Sequence, residues 1–143
     1  DMGTYTFQLI EDMVKFFNFE KINVGYWSEK LCEPLSHLQG ATRYDSDKFR
    51  NDVEDWVKDY LINTSNLGDF ENIIEELFDF EDYSTEHSSY NLIDNQSVTG
   101  LEDCFIDFWE TDPGRIPDYH FIWCLEAIRV ICNYIHSLEK KEC

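Results

Sequence analysis

Apolar positions along this chain recur at helical rather than alternating spacing. Leu9, Ile10, Met13, Val14 and Phe17 repeat at three and four residues, which predicts an amphipathic helix over about 6–18. Asn23 can cap a second helix carrying Tyr26, Trp27, Leu31, Leu35 and Leu38. Pro34 kinks or divides that helix, because proline removes a donor and crowds the preceding turn, and Gln39-Gly40 ends it. The third segment has the cleanest period: Phe49, Val53, Trp56, Val57, Tyr60 and Leu61 fall on one stripe, with Asp45 or Ser46 as cap. Residues 63–68 read as a turn. Asp69 then caps a fourth helix over 69–82, whose stripe is Phe70, Ile73, Ile74, Leu77 and Phe78.

Residues 83–99, rich in Ser, Asn and Thr, predict a polar loop or at most a short irregular helix. Thr99-Gly100-Leu101-Glu102 matches a capping box, so a fifth helix is expected over 100–110 with Leu101, Cys104, Phe105, Phe108 and Trp109 inward. Thr111-Asp112-Pro113-Gly114 is a turn. Asp118 caps a last helix, about 119–139, that is apolar nearly all round and is therefore expected at the centre. No alternating strand of useful length appears. The pattern predicts an all-α fold: one acidic helical domain over 1–143, a bundle of five to six helices around a hydrophobic C-terminal helix.

Composition supports a real core, since 43% of residues are apolar and 16% aromatic. Charge adds more. The 30 acidic and 11 basic residues leave a formal −19, but residues 59–114 contain no Lys or Arg and hold 15 of the acids. On helical spacing Glu71, Glu75, Asp79 and Asp82 share one face of the fourth helix, with Glu76 beside them, and Asp103, Asp107 and Glu110 share one face of the fifth. With Glu86 in the loop, and Tyr83 and Tyr90 as exposed aromatic candidates, these carboxylates form an expected docking surface for a basic partner. Tyr83 is expected to touch that partner together with the carboxylates. Direct nucleic-acid binding and an anionic membrane surface are both disfavoured, because each requires clustered bases.

The motifs offer little other chemistry. His120-x3-Cys124 and Cys132-x3-His136 lie eight residues apart, roughly 12 Å along a helix, too far to share one ion. Asp45-Ser46-Asp47 opens like a calcium loop, yet Arg50 stands where glycine is required. No nucleophile elbow and no glycine-rich phosphate cradle is present, so no cofactor, metal or catalytic residue is expected and the chain is read as a non-enzyme. The longest unbroken apolar run is five residues, no leader is recognisable, and five cysteines without framework spacing favour reduced thiols, so a cytoplasmic setting is expected.

The run Tyr5-Thr6-Phe7-Gln8-Leu9-Ile10-Glu11-Asp12-Met13-Val14-Lys15-Phe16-Phe17, followed by Lys21-Ile22-Asn23, resembles the opening of small bacterial immunity proteins of the colicin and contact-dependent-inhibition type. Those begin with a helix, a Lys-Ile-(Ser/Asn) step and a second helix. The resemblance covers the N-terminal quarter of the chain. It implies an acidic helical protein that binds and blocks a basic nuclease toxin; the 83–99 segment departs from the compact pattern, so no site residue is carried over. The leading expectation is therefore an acidic inhibitor of a nuclease toxin or other nucleic-acid-binding protein, with DNA mimicry as one version. The alternative is a Bcl-2-like helical module that takes a partner helix in an apolar groove.

Overall fold

The computed structural model describes residues 5–7, 12–31, 40–64, 66–79 and 81–142, the side chain of Glu142 excepted. The fold is mostly helical. Its elements are α1 (Met13–Phe16), α2 (Val24–Ser28), β1 (Thr42–Tyr44), α3 (Ser46–Asn63), α4 (Phe70–Phe78), α5 (Glu86–Asn95), β2 (Arg115–Pro117) and α6 (Tyr119–Glu142), with 3-10 turns at Leu67–Asp69 and Phe108–Thr111. β1 pairs with β2 in a two-stranded sheet that no alternation announces, each strand having only three residues. The chain forms two compact units: the first combines 1–43 with 117–143, and the second is 44–116.

In the first unit, the helix predicted from residue 6 starts later. Phe7 forms an isolated antiparallel bridge with Leu31, and Asp12 opens α1 by accepting a hydrogen bond from the Val14 N–H at 2.9 Å. Asn23 caps α2 as expected, its side chain accepting from the Tyr26 N–H at 3.1 Å. Leu9, Ile10, Pro34, Leu35, Leu38 and Gln39 lie outside the described residues. The core of this unit joins Phe16, Phe17 and Trp27 to Ala41, Phe121, Leu125 and Cys132, with Phe17 edge-on to Trp27 at 4.8 Å. Asp118 caps α6 through the His120 N–H at 2.9 Å. That helix is buried along one side only: Phe121, Leu125 and Cys132 face the core, while Trp123, Val130, Ile131, Tyr134 and Leu138 are exposed. Its apolar circumference therefore does not make it a fully enclosed central helix.

In the second unit, α3 follows its predicted stripe. Asp45 caps it through the Lys48 N–H at 2.8 Å, and Phe49, Val53, Val57 and Leu61 are fully buried. They pack with Ile74, Leu77 and Phe78 of α4, Leu92 and Ile93 of α5, and Val98, Leu101, Cys104, Phe105 and Phe108. Trp56 anchors the last segment by donating its indole N–H to the Cys104 carbonyl at 2.6 Å.

Two expectations are corrected here. The 83–99 segment contains a ten-residue helix, α5, started by a capping box in which Thr85 accepts from the Ser88 N–H and Ser88 accepts from the Thr85 N–H, both at 3.1 Å. Conversely, 100–110 is not an α-helix. Leu101, Cys104, Phe108 and Glu110 each donate a backbone N–H three residues back, giving successive turns that end in a 3-10 segment. Gly100 at φ +94°, weak helix formers at Asp103 and Asp107, and the absence of basic partners account for that. Turns of three residues still bury Leu101, Cys104, Phe105 and Phe108, so the apolar spacing is satisfied without a helix.

The predicted turn before β2 is essential to this packing. Gly114 sits at φ +73°, donates to Asp52 Oδ2 at 2.9 Å and accepts from the Asp45 N–H at 2.8 Å. A Cβ there would lie 2.8 Å from Phe49 Cβ and from Tyr44 Cε2. Gly114→Ala is expected to destabilise the chain by about 2–4 kcal/mol, combining left-handed strain with overpacking. Urea unfolding measures it; a loss below about 1 kcal/mol would mean that the turn relaxes freely.

Candidate functional site

The charge divides unevenly between the units. The first has ten acidic and seven basic residues, a formal −3; the second has 20 acidic and four basic, a formal −16. Three of those four bases already meet acids of the same unit: Lys48 with Asp52, Arg50 with Glu54 at 2.9 Å, and Arg115 with Glu86 at 3.1 Å. The second unit thus carries a large excess of carboxylates.

Some of that excess is gathered around the C-terminal half of α4. One open cleft, about 560 Å³, is lined by Arg50, Asn72, Glu75, Glu76, Phe78 and Asp79. A neighbouring cleft of about 290 Å³ is lined by Glu76, Leu77, Asp79 and Glu81 on one side and by Asn91, Asn95, Gln96 and Ser97 on the other. Glu76 and Asp79 belong to both. The last turn of α4 holds no basic residue, so its unpaired carbonyls add the negative end of the helix dipole to the same place. Arg50 forms the one cationic wall. Its guanidinium lies 4.8 Å from the Phe78 ring, donates to the Tyr83 hydroxyl at 3.3 Å and to Glu54, and those hydrogen bonds hold its pKa above the ordinary value.

The predicted site residues are therefore split. Glu75, Glu76 and Asp79 come together. Glu71 is exposed on α4 away from both cleft linings. Because α4 ends at Phe78 and Asp79 turns to extended backbone, Asp82 does not continue the helical face. Instead it accepts from the Ser84 N–H at 2.9 Å and from its hydroxyl, which keeps its carboxyl below the ordinary range. Glu86 is engaged with Arg115 in the first turn of α5. Asp103, Asp107 and Glu110 are exposed on the turn segment that replaces the fifth helix, outside the clefts.

Tyr83 is not an exposed anchor: its ring packs edge-on to Phe78 at 5.0 Å and near Phe49, and its carbonyl accepts from the Tyr44 hydroxyl at 2.6 Å. Tyr90 is exposed and stacks on Trp109 at 4.0 Å. Sequence reasoning misses Arg50, Asn72, Glu81 and the amides Asn91, Asn95 and Gln96. Of these, only Asn91 and Asn95 carry a signal, their four-residue spacing, in a segment that the sequence reads as a loop or at most a short irregular helix.

Chemically the clefts suit cations. Carboxylates from α4 and Glu81 can accept from lysine or arginine side chains, and the opposite amide wall can donate or accept. Among the described residues no group of three or more His, Cys, Asp or Glu is arranged to hold a metal. Burial pushes the Cys104 thiol up to about 12, which keeps it protonated and poorly nucleophilic. No family, curated protein or solved structure matches the chain.

The Asp82 turn makes a pH prediction. A carboxyl whose folded pKa lies below its unfolded value of 3.8 stabilises the fold above that value, and the contribution is lost as pH falls through the folded pKa. Asp82→Ala is expected to lower the melting temperature at neutral pH, with the difference from wild type shrinking to nothing in strong acid. Thermal melts across that range check it. A deficit that persists unchanged in acid would show that the carboxylate is not its source.

Proposed function

We propose that this chain is an acidic protein-binding inhibitor of the immunity type, neutralising a basic partner such as a nuclease toxin or another nucleic-acid-binding protein in the cytoplasm. One observation carries the reading: a unit of formal −16 gathers Glu75, Glu76, Asp79 and Glu81 around two adjoining clefts at the negative end of α4. Like charges at three- and four-residue spacing cost a few tenths of a kcal/mol per pair, and here no lysine relieves them. A basic partner supplies the missing cations.

In this reading lysine and arginine side chains that would otherwise hold phosphates enter the clefts, and the carboxylates stand where phosphates would stand. The wider acidic surface, including Glu71, Asp103, Asp107 and Glu110, steers the encounter, with rate gains of about 10–10³. The test adds the chain to a panel of basic nuclease domains and follows both binding and DNA cleavage. Inhibition of at least one member is expected, with affinity falling about tenfold or more between ~0.05 and ~0.3 M salt. Equal affinity at both salt concentrations, or no inhibition across the panel, overturns the proposal.

A further inference from the structure

α6 carries a second surface, in the unit that holds little of the charge. Trp123 is 56% exposed, Val130 56%, Ile131 58% and Tyr134 63%, and Tyr119 and Leu138 are exposed beside them. Steps of four, seven, four and four from Tyr119 through Trp123, Val130 and Tyr134 to Leu138 make one stripe, with Ile131 at its edge and Ala127 within it. Glu126, three residues after Trp123 and four before Val130, borders the stripe opposite Ile131, its charge met by Arg129 at 2.6 Å, and Glu139 sits beside His136 at 3.7 Å. Six half-exposed side chains offer roughly 100 Å² each, about 600 Å² per chain, against ~800 Å² per partner in a standard interface.

We infer that this face joins two copies of the chain, α6 against α6, antiparallel about Val130 and Ile131. Charge leaves this unit, rather than the other, as the place where a second copy can dock, and it selects the direction. A second copy meets a −3 unit here, whereas any association through the other unit brings −16 against −16. In the antiparallel register Trp123 lies over Leu138 of the second copy, and Ala127 leaves room for its Tyr134. Lys140 and Lys141 reach the second copy's helix start, where Asp118 stands, and the two helix dipoles oppose. A parallel arrangement would instead place four lysines together.

By length and composition the stretch from Tyr119 to Lys141 could also cross a membrane. Its other face, however, is already packed: Phe121, Leu125 and Cys132 are buried in the core with Phe16, Phe17 and Trp27. Glu126 and Arg129 would also stand near mid-span. A second copy therefore fits better than a bilayer.

Sedimentation equilibrium of the full chain over a concentration series tests this. A reversible monomer–dimer equilibrium is expected, holding or tightening as salt rises, because screening weakens the repulsion between two −19 chains. Val130→Glu places two carboxylates across the axis and is expected to raise the dissociation constant about tenfold or more. Far-UV circular dichroism confirms that the variant is folded; if it is not, Trp123→Ala replaces it, with the same weakening expected. Lys140→Glu with Lys141→Glu is expected to weaken the dimer about threefold or more.

A monomer at every concentration, a dimer indifferent to Val130→Glu or Trp123→Ala, or flotation of monomers with phosphatidylcholine vesicles each overturns the inference. Amide substitutions at Glu75, Glu76, Asp79 and Glu81 are expected to hold or tighten the dimer, as salt does, and never to weaken it, so this surface and the clefts stand or fall separately.

Discussion

Replacing Glu75, Glu76, Asp79 and Glu81 by their amides is expected to weaken binding to a basic protein by about 30- to 100-fold while making the free chain more stable by about 1 kcal/mol. The two effects share one origin. Glu75 faces Glu71 and Asp79 at four-residue steps, and Glu76 faces Asp79 at three, with Glu76 and Asp79 at the helix end whose dipole is already negative. Neutralisation removes that repulsion from the free protein and removes the attraction from the complex. Open carboxylates contribute ~0.5–0.7 kcal/mol each to an ion pair, so four of them together give the expected loss.

The control changes the charge equally: Glu71→Gln, Asp103→Asn, Asp107→Asn and Glu110→Gln lie outside the clefts. It is expected to slow association at low salt and to leave the dissociation rate close to wild type. Surface plasmon resonance on an inhibited nuclease separates the two sets. If both lower affinity alike, the field of the whole unit acts and the clefts have no special part.

Phe49→Ala is expected to cost about 3–5 kcal/mol, a large share of the stability of a chain this size. Phe49 is fully buried on the first turns of α3. Its ring meets Tyr44, Tyr83, Phe108 and Trp109 at centroid distances of 6.1–6.4 Å, so it touches the start of the second unit, the segment after α4 and the 3-10 turn at once. Five segments of chain converge there if Gly114 is included, and little of that cavity can collapse when they are tied to one another. Urea unfolding followed by tryptophan fluorescence reads the loss; a change under about 1 kcal/mol would mean that the surrounding aromatics repack into the space.

How far the sequence was legible depends on where each signal resides. α3 and α6 were readable because each has a local cap, Asp45 or Asp118, and a long unambiguous stripe. α5 was hidden: within 86–95 only Leu92 and Ile93 are buried apolar residues, and its start rests on the Thr85–Ser88 exchange of hydrogen bonds. The 100–110 segment misled in the opposite sense. Leu101, Cys104, Phe105 and Phe108 are spaced for a helix, yet the same spacing serves a string of three-residue turns, and Gly100 tips the choice.

The acidic surface was legible as composition and wrong in detail. Glu75, Glu76 and Asp79 could be grouped from spacing alone. That Glu81 and the amides of α5 close a second cleft could not, because α4 and α5 approach only in the folded unit. Tyr83 illustrates the limit, since a tyrosine beside a polar run reads as exposed until Phe78 and Arg50 are known to receive it.

The way the two units share one chain also sets an order of events during synthesis. The −16 unit is continuous from Tyr44 to Ile116, so it is complete and free to fold as soon as it is made. The other unit is split: Phe16, Phe17 and Trp27 are made early, but Phe121, Leu125 and Cys132 arrive only with the final helix. At about 5–20 residues per second, the aromatic N-terminal segment waits roughly 5–20 s for its packing partners. The whole acidic unit is therefore made before the apolar partners of Phe16, Phe17 and Trp27 exist.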